Sequence, residues 1–296
     1  MKSYPKVSII FPNHNGGKEP LECLASIRNL DYPKSKIEVL VIDNNSSDGS
    51  DLNIKEKFPE VLLMKNNKNV FFAKAVNQGI LKATGEYIFI GNDDLVFEKD
   101  SLKNLVDYSL QNPNVGILGG KIFYKSHPKK ICSAGYMMNK WTGNVYVAPG
   151  SNKIKEPDWI QGCAMLISKK VFKKTGLLDA NYTHLFEDYD LCLRTKKAGY
   201  KIVYIPSAKF WHGESLTWDK NTTDKYYNWY KSKFRFILKN LHILNVLSIL
   251  LIQVFVISPY RAVILRDGRL IPFLKGFFWN IKNLPKTLAS RKMIYE

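Results

Sequence analysis

Gly85-Glu86-Tyr87-Ile88-Phe89-Ile90-Gly91-Asn92-Asp93-Asp94 decides the fold. Its centre is an apolar run too short for a helix. Gly85 stops the helical spacing of Phe72 to Ala83 before it, and two adjacent acids close it. This is the pattern of a buried strand whose far end is polar. Working outward, the same alternation returns. Val7–Phe11 is an apolar run before Asn13-His14-Asn15-Gly16-Gly17, and Pro20 to Asn29 has helical spacing. Ile37 to Ile42 is a strand ending at Asp43, with a polar loop through Gly49. Asp51 to Lys57 predicts a helix, Val61–Met64 a strand, Ser101 to Leu110 a helix and Val115–Leu118 a strand. Strands separated by helical patterns of about 10 to 15 residues predict β-α-β units, hence an α/β fold with a mostly parallel central sheet flanked by helices. Ligands gather at the carboxyl ends of such strands. Asn13, Asp43 and the Asp93-Asp94 pair stand at three of those ends.

The chain has 296 residues, with 45% hydrophobic and 24% charged, a balance that excludes bulk disorder. Its four cysteines, Cys23, Cys132, Cys163 and Cys192, form no CxxC pair, which argues against a Cys-rich zinc site, a redox dithiol or a disulfide framework. No GxxxxGK[ST] is present and no GxGxxG follows the first strand, so a P-loop and a dinucleotide fingerprint are both disfavoured. The apolar run Val7–Phe11 ends at Pro12 and is too short for a secretory signal, so the protein is expected on the cytoplasmic side.

Lys121 to Pro157 is irregular and rich in Gly, Pro, Lys and aromatics, which predicts hairpins or a flap. Trp159 to Ser168 is apolar, Lys169 to Thr175 a short helix, Glu187 to Ala198 a helix stopped by Gly199, and Lys201–Ile205 a strand. The tail differs in kind. The formal net charge is +18, and from Lys225 onward 13 Lys and Arg stand against 2 Asp and Glu, leaving +11 there. Asp224 to Asn240 interleaves aromatics with cations. Ile243 to Ser258 is a nearly unbroken apolar stretch of 16 residues, short of the roughly 20 needed to span a bilayer. Arg261, Arg266 and Arg269 follow. The expectation is a catalytic domain over residues 1–222 and a basic, aromatic-rich helical region over residues 223–296. Its apolar helix would lie in the interface of an anionic membrane, with a packed core helix as the main rival and a spanning helix as the lesser one.

Adjacent carboxylates at a strand end repel one another, and a bound hard divalent cation such as Mg²⁺ would neutralise both; the rival is a helix cap. His212 is a lone histidine, structural or a further metal ligand. Glu187, Asp188 and Asp190 crowd one helix start, where acids are favoured. On a helix, residues 187, 190 and 194 share a face, so Glu187 and Asp190 are expected to pair with Arg194, leaving Asp188 spare for a general base.

The ordered set of these pieces resembles the family 2 glycosyltransferases of the GT-A fold, within them the rhamnosyltransferase-like branch. It comprises Val7 to Asn13 with Asn15; Val39 to Ser50; Asn69 to Ala73 with Asn77 and Gly79; Gly85 to Phe89 with Asn92-Asp93-Asp94; Gly162 to Ile167; Gly176 with Asp179; Glu187 to Arg194; Gly199-Tyr200; and His212 with Ser215. The resemblance implies an inverting transfer from a nucleoside-diphosphate sugar, dTDP-rhamnose or a UDP-sugar, to a hydroxyl of a glycan or lipid-linked glycan. Asp188 would be the catalytic base. Asp94 and His212 would bind the divalent metal, Mg²⁺ or Mn²⁺. Pro12, Asn13, Asn15, Asp43, Asn45, Asn77 and Asp93 would surround the donor nucleotide, with Asp43 on the pyrimidine. Trp159, Gly162 and Glu187 would support the acceptor side. Phe71 and Ala75 depart from the family, which usually has Gly at both positions. A nucleotidyltransferase, a non-catalytic nucleotide-sugar binder and a nucleic-acid binder are the alternatives. A nucleic-acid partner is not expected, because acids converging at strand ends repel phosphate. Neither the donor sugar nor the oligomeric state is legible in the sequence.

Overall fold

The computed structural model describes residues 4–213, 222–260, 263–264 and 268–292. Ser215, Arg261 and Arg266 lie outside the described residues. The chain opens with β1 (Val7–Asn13), α1 (Glu19–Arg28), β2 (Ile37–Asp43), α2 (Ser50–Lys57) and β3 (Leu62–Lys65). It continues through α3 (Phe72–Lys82), β4 (Tyr87–Gly91), β5 (Leu95–Phe97), α4 (Ser101–Gln111), β6 (Val115–Tyr124) and β7 (Ile131–Ser133). A hairpin of β8 (Tyr136–Met138) and β9 (Val145–Val147) precedes β10 (Ala164–Ser168), α5 (Lys169–Thr175), α6 (Glu187–Lys197) and β11 (Lys201–His212). The tail holds α7 (Thr222–Asn240), α8 (Ile243–Ile252), α9 (Ser258–Tyr260), α10 (Leu270–Lys282) and α11 (Leu284–Lys292).

The main sheet runs β3-β2-β1-β4-β10-β6-β11-β5, with β7 paired to β6. From β3 to β4 all pairings are parallel, as the β-α-β spacing requires. Strand β1 is buried on both faces. Ile10 lies in one core cluster, and Val7, Ile9 and Phe11 lie in the other. The far half is mixed: β10 is antiparallel to both β4 and β6, while β11 is parallel to β6. Three registers build the site. Asn13 stands opposite Asp43, Ala164 opposite Gly91, and His212 opposite Leu95. They bring the segment before β10 and the last residue of β11 to the end of β4.

The irregular stretch after Lys121 folds as the expected hairpin. The tail does not form a separate core. Helix α7 buries Phe234, Phe236 and Ile237 in the same cluster as Trp159 and Tyr189. The change at residue 222 is therefore one of composition, while the packing is continuous across it. The apolar helix is longer than expected. From Ile243 it continues through a π-helical turn at Gln253–Ile257 and past Pro259 to Tyr260. That run of 18 residues is long and apolar enough to cross a membrane, and 22% of it is buried.

Candidate active site

Asn13, at the end of β1, donates from Nδ2 to Asp43 Oδ1 at 2.8 Å and to the hydroxyls of Ser46 and Ser50 at 3.0 Å. Asp43 is buried and also accepts from the Ser46 amide and hydroxyl at 3.1 and 2.6 Å. Three of its four lone-pair sites are thereby used, leaving one for a ligand. The Asn15 side chain accepts from the Ser47 amide at 2.8 Å, fastening the first loop to the second. Gly16 sits so close that a Cβ there would meet Asn13 Oδ1 and Asp93 Oδ2 at 2.6 Å. No larger residue leaves the two loops where they are.

At the end of β4, burial and the neighbouring charge of Asp94 push the Asp93 carboxyl up to about 7. Asp94 Oδ1 is buried with no hydrogen-bond partner. It lies 3.2 Å from His212 Nε2, which in turn is 2.9 Å from Asn92 Nδ2. Burial lowers the His212 pKa, but the neighbouring Asp94 and Cys132 outweigh it and raise the imidazole to about 9. Among the described residues no three His, Cys, Asp or Glu side chains form a metal cage on their own. The donor set fits a hard divalent cation of another kind: one or two carboxylates, one with an oxygen still unpartnered, sharing the ion with phosphate oxygens. The ion would replace the His212 proton if the imidazole took part.

The second wall is the start of α6. Asp188 Oδ2 accepts from the Gly162 amide at 2.9 Å, and Oδ1 from the Tyr189 amide at 2.7 Å. Beneath it Trp159 stacks on Tyr189 with centroids 4.1 Å apart and on Tyr136 at 4.9 Å. Burial raises the carboxyl pKa values of both Glu187 and Asp188, and the Asp188 charge raises Glu187 further. The two backbone donors favour charge on Asp188, so the proton of this pair resides on Glu187. The buried Cys163 thiol feels both Asp94 and Asp188, so the two walls lie within electrostatic reach of each other.

Among the described residues the non-glycine residues with left-handed φ are Asn15, Asn45, Phe71, Leu185 and Phe186. Phe71, with φ 65° and ψ 171°, holds a conformation that is essentially glycine's, and its ring meets His184 edge-on at 5.4 Å.

The family model described as "Glycosyl transferase family 2" matches residues 8–176, more than half of the chain. The chain belongs to glycosyl transferase family 2. Among curated relatives it is 27% identical over 224 residues to the probable glycosyltransferase YdaM of Bacillus subtilis, covering 74% of this chain and 53% of that one. It is 24% identical over 228 residues to the N-acetylglucosaminyl-diphospho-decaprenol L-rhamnosyltransferase of Mycobacterium tuberculosis, covering 68% and 74%. This chain thus spans about half of one relative and three quarters of the other. The mannosyltransferase PcManGT of Pyrobaculum calidifontis, solved with GDP-Man and Mn²⁺, superposes with a TM-score of 0.59 at 16% identity, covering 99% of this chain and 86% of that one. That likeness shows the shared GT-A fold.

In this family 2 chain Asn13 meets Asp43, Gly16 sits against both Asn13 and Asp93, Asp94 stands beside His212, and Gly162 holds Asp188 next to Glu187. Pro12 is held within β1 opposite Ile42. Asn45 is an exposed left-handed turn residue. The Asn77 amide donates to the Leu178 carbonyl at 2.8 Å and accepts from its N–H at 3.1 Å, which ties α3 to the loop before α6. One expectation is corrected. Glu187 does not pair with Arg194. Seven residues of helix separate them by about 10 Å. Arg194 instead binds Asp190 at 2.8 Å and the carbonyls of Thr175 and Leu177. Sequence reasoning missed Asn92, Gly16, and the hub at Asp179, which binds Arg235 at 2.9 Å and Lys239 at 2.8 Å. The Gly16-Gly17 pair was the available signal for the second; nothing local signals the hub, because its cations lie more than fifty residues away.

Proposed function

We propose that the chain is an inverting glycosyltransferase. It would move a sugar from a nucleoside-diphosphate sugar, dTDP-rhamnose or a UDP-sugar, to a hydroxyl of a glycan or lipid-linked glycan. The observation that carries this reading is a half-buried carboxylate, Asp188, steadied by two backbone amides, with the buried Cys163 thiol in electrostatic reach of both it and Asp94. Asp188 takes the proton from the acceptor hydroxyl, which attacks the anomeric carbon from the face opposite the leaving group; position matters first and pKa second. Glu187, neutral beside it, keeps a second negative charge out of the base's pocket. Asp43, Asn13 and the Ser46 loop hold the nucleoside end, while Asp93, Asp94 and His212 hold the diphosphate end. A divalent metal, Mg²⁺ or Mn²⁺, would supply charge neutralisation for the departing nucleoside diphosphate.

A lipid-linked acceptor is favoured by the tail. The Ile243–Tyr260 run is apolar and largely uncovered, and the chain is strongly cationic. The run lies along the body of the protein: Ser248 donates to the Trp141 carbonyl at 2.9 Å, and Gln253 to that of Thr142 at 3.4 Å. A helix held side-on in this way suits peripheral docking on the cytoplasmic face of a membrane. The relative whose name specifies a decaprenol-linked acceptor supports the same direction. Incubating the full chain with UDP-, dTDP- and GDP-sugars, a lipid-linked acceptor, and Mn²⁺ or Mg²⁺ tests the reading. Release of one nucleoside diphosphate coupled to glycosylated lipid is the expected result. Release of pyrophosphate, or of nothing across the panel, contradicts it.

A further inference from the structure

The β8–β9 hairpin joins the catalytic cleft to the apolar helix. At its base Tyr136 stacks on Trp159, which stacks on Tyr189, the neighbour of Asp188. At its tip the turn is fixed by Asn139, whose carbonyl accepts from the Gly143 amide at 2.7 Å and whose side chain accepts from the amides of Trp141 and Thr142 at 2.9 and 3.1 Å. The backbone of this tip is docked on α8 through Ser248 and on the π-helical turn after it through Gln253, and a Cβ on Gly143 would meet Ile249 at 3.0 Å. The Trp141 indole is left out of this packing and is 57% exposed. Ser248 lies one helical turn from Leu244 on one side and from Leu251 on the other, and both are more than half exposed. The indole therefore extends the uncovered apolar strip of α8 from the helix onto the hairpin, with the exposed Lys140 beside it.

We propose that the hairpin tip is a second membrane anchor: Trp141 inserts at the headgroup level of an anionic bilayer alongside Leu244 and Leu251, with Lys140 against lipid phosphate. The proposal rests on the membrane reading of the tail. Two features select a bilayer over a second copy of the chain. A net charge of +18, most of it in the tail, opposes self-association of that face and favours an anionic surface. Trp is the residue whose amphipathic ring sits at the membrane–water boundary. With tip and helix in the same plane, the hairpin's other end fixes the mouth beside Asp188 relative to the lipid surface, where a lipid-linked hydroxyl would be presented.

The test is sedimentation of the full chain with phosphatidylglycerol–phosphatidylcholine vesicles at low salt, comparing wild type, Trp141→Ala, Trp141→Phe and Leu251→Glu. The hairpin's backbone bonds do not use the indole, so Trp141→Ala should melt like wild type by circular dichroism. The expected result is an about tenfold weaker partition for Trp141→Ala, most of it restored by Phe. Wild-type binding with Trp141→Ala unchanged overturns the hairpin anchor and leaves the tail reading standing. Wild type and Leu251→Glu both remaining in solution overturns the tail reading, and the anchor with it. A wild-type dimer in the absence of lipid that Trp141→Ala dissociates would identify a second copy as the occupant and overturn the proposal.

Discussion

The Gly162 amide points at Asp188 from 2.9 Å, and the Asp188 Cβ lies 3.3 Å from where a side chain on Gly162 would begin. The base is thus positioned by a residue at which a methyl group would fit only if Asp188 gave way by a few tenths of an ångström. Gly162→Ala should therefore loosen the carboxylate on its amide donor. That is less than the displacement of about 1 Å that costs about 10²-fold in rate. We expect kcat to fall by up to about 10-fold while calorimetric donor binding stays near wild type. An unchanged kcat would show that this amide does not place the base.

Glu187 gives a pH-dependent expectation. Burial, then the Asp188 charge, raises its pKa above the ordinary glutamate value. A carboxyl whose pKa is higher folded than unfolded contributes stability that is fully present below its unfolded pKa and is lost as pH rises through the folded value. Glu187→Gln, which mimics the neutral acid, should remove that alkaline loss and keep most of the activity. Melting temperatures across a pH series check this. A wild type whose stability rises from mildly acid to mildly alkaline pH, relative to the Gln variant, would mean that Glu187 folds ionised.

Asp179 has the opposite sign. Burial would raise its pKa, but Lys239 and Arg235 outweigh burial and hold it well below the usual carboxylate range. Its contribution is present above the unfolded pKa and lost as pH falls through the folded value, so it belongs to acid lability. Asp179→Ala leaves two buried cations without this partner, a loss of about 3–5 kcal/mol. Urea unfolding at neutral pH should show a large fall in midpoint. A change within about 0.5 kcal/mol, as at an ordinary surface site, would contradict the hub.

Phe71 is strained and 42% exposed, so its ring loses little burial on removal. Relief of a residue in glycine's region is worth about 1–3 kcal/mol, offset by about 0.5–1 kcal/mol of extra chain entropy in the unfolded state. Phe71→Gly should therefore stabilise the protein by about 1 kcal/mol. A destabilised variant would show that the contact with His184 outweighs the strain.

The half of the fold from β1 to β4 was legible because its strands run into polar segments and helical spacings separate them. The far half was less so. β11 continues to His212, whereas its apolar run ends at Ile205. Pro206 has no N–H to give the ladder, and the register shifts between Ile205 and Lys209 before pairing resumes. No pattern of period two survives such a break. The acids of the site could be named from their strand ends, but not their partners. Asp43 to Asn13 and Asp188 to Gly162 are set by strand register and loop closure. The destination of the Asn77 amide depends on the Leu178 backbone, 101 residues away in sequence. The pairing expected for Glu187 failed on distance along the helix, since sharing a face does not bring residues two turns apart into contact.

The central claim is that Asp188 is the base of a sugar transfer. Asp188→Asn keeps the shape and removes the ability to take a proton. With the accepted donor, metal and acceptor present, the account expects donor binding equal to wild type and transfer slower by about 10² to 10⁴-fold, read as nucleoside diphosphate released per enzyme. A variant that binds donor and turns over near the wild-type rate would contradict it.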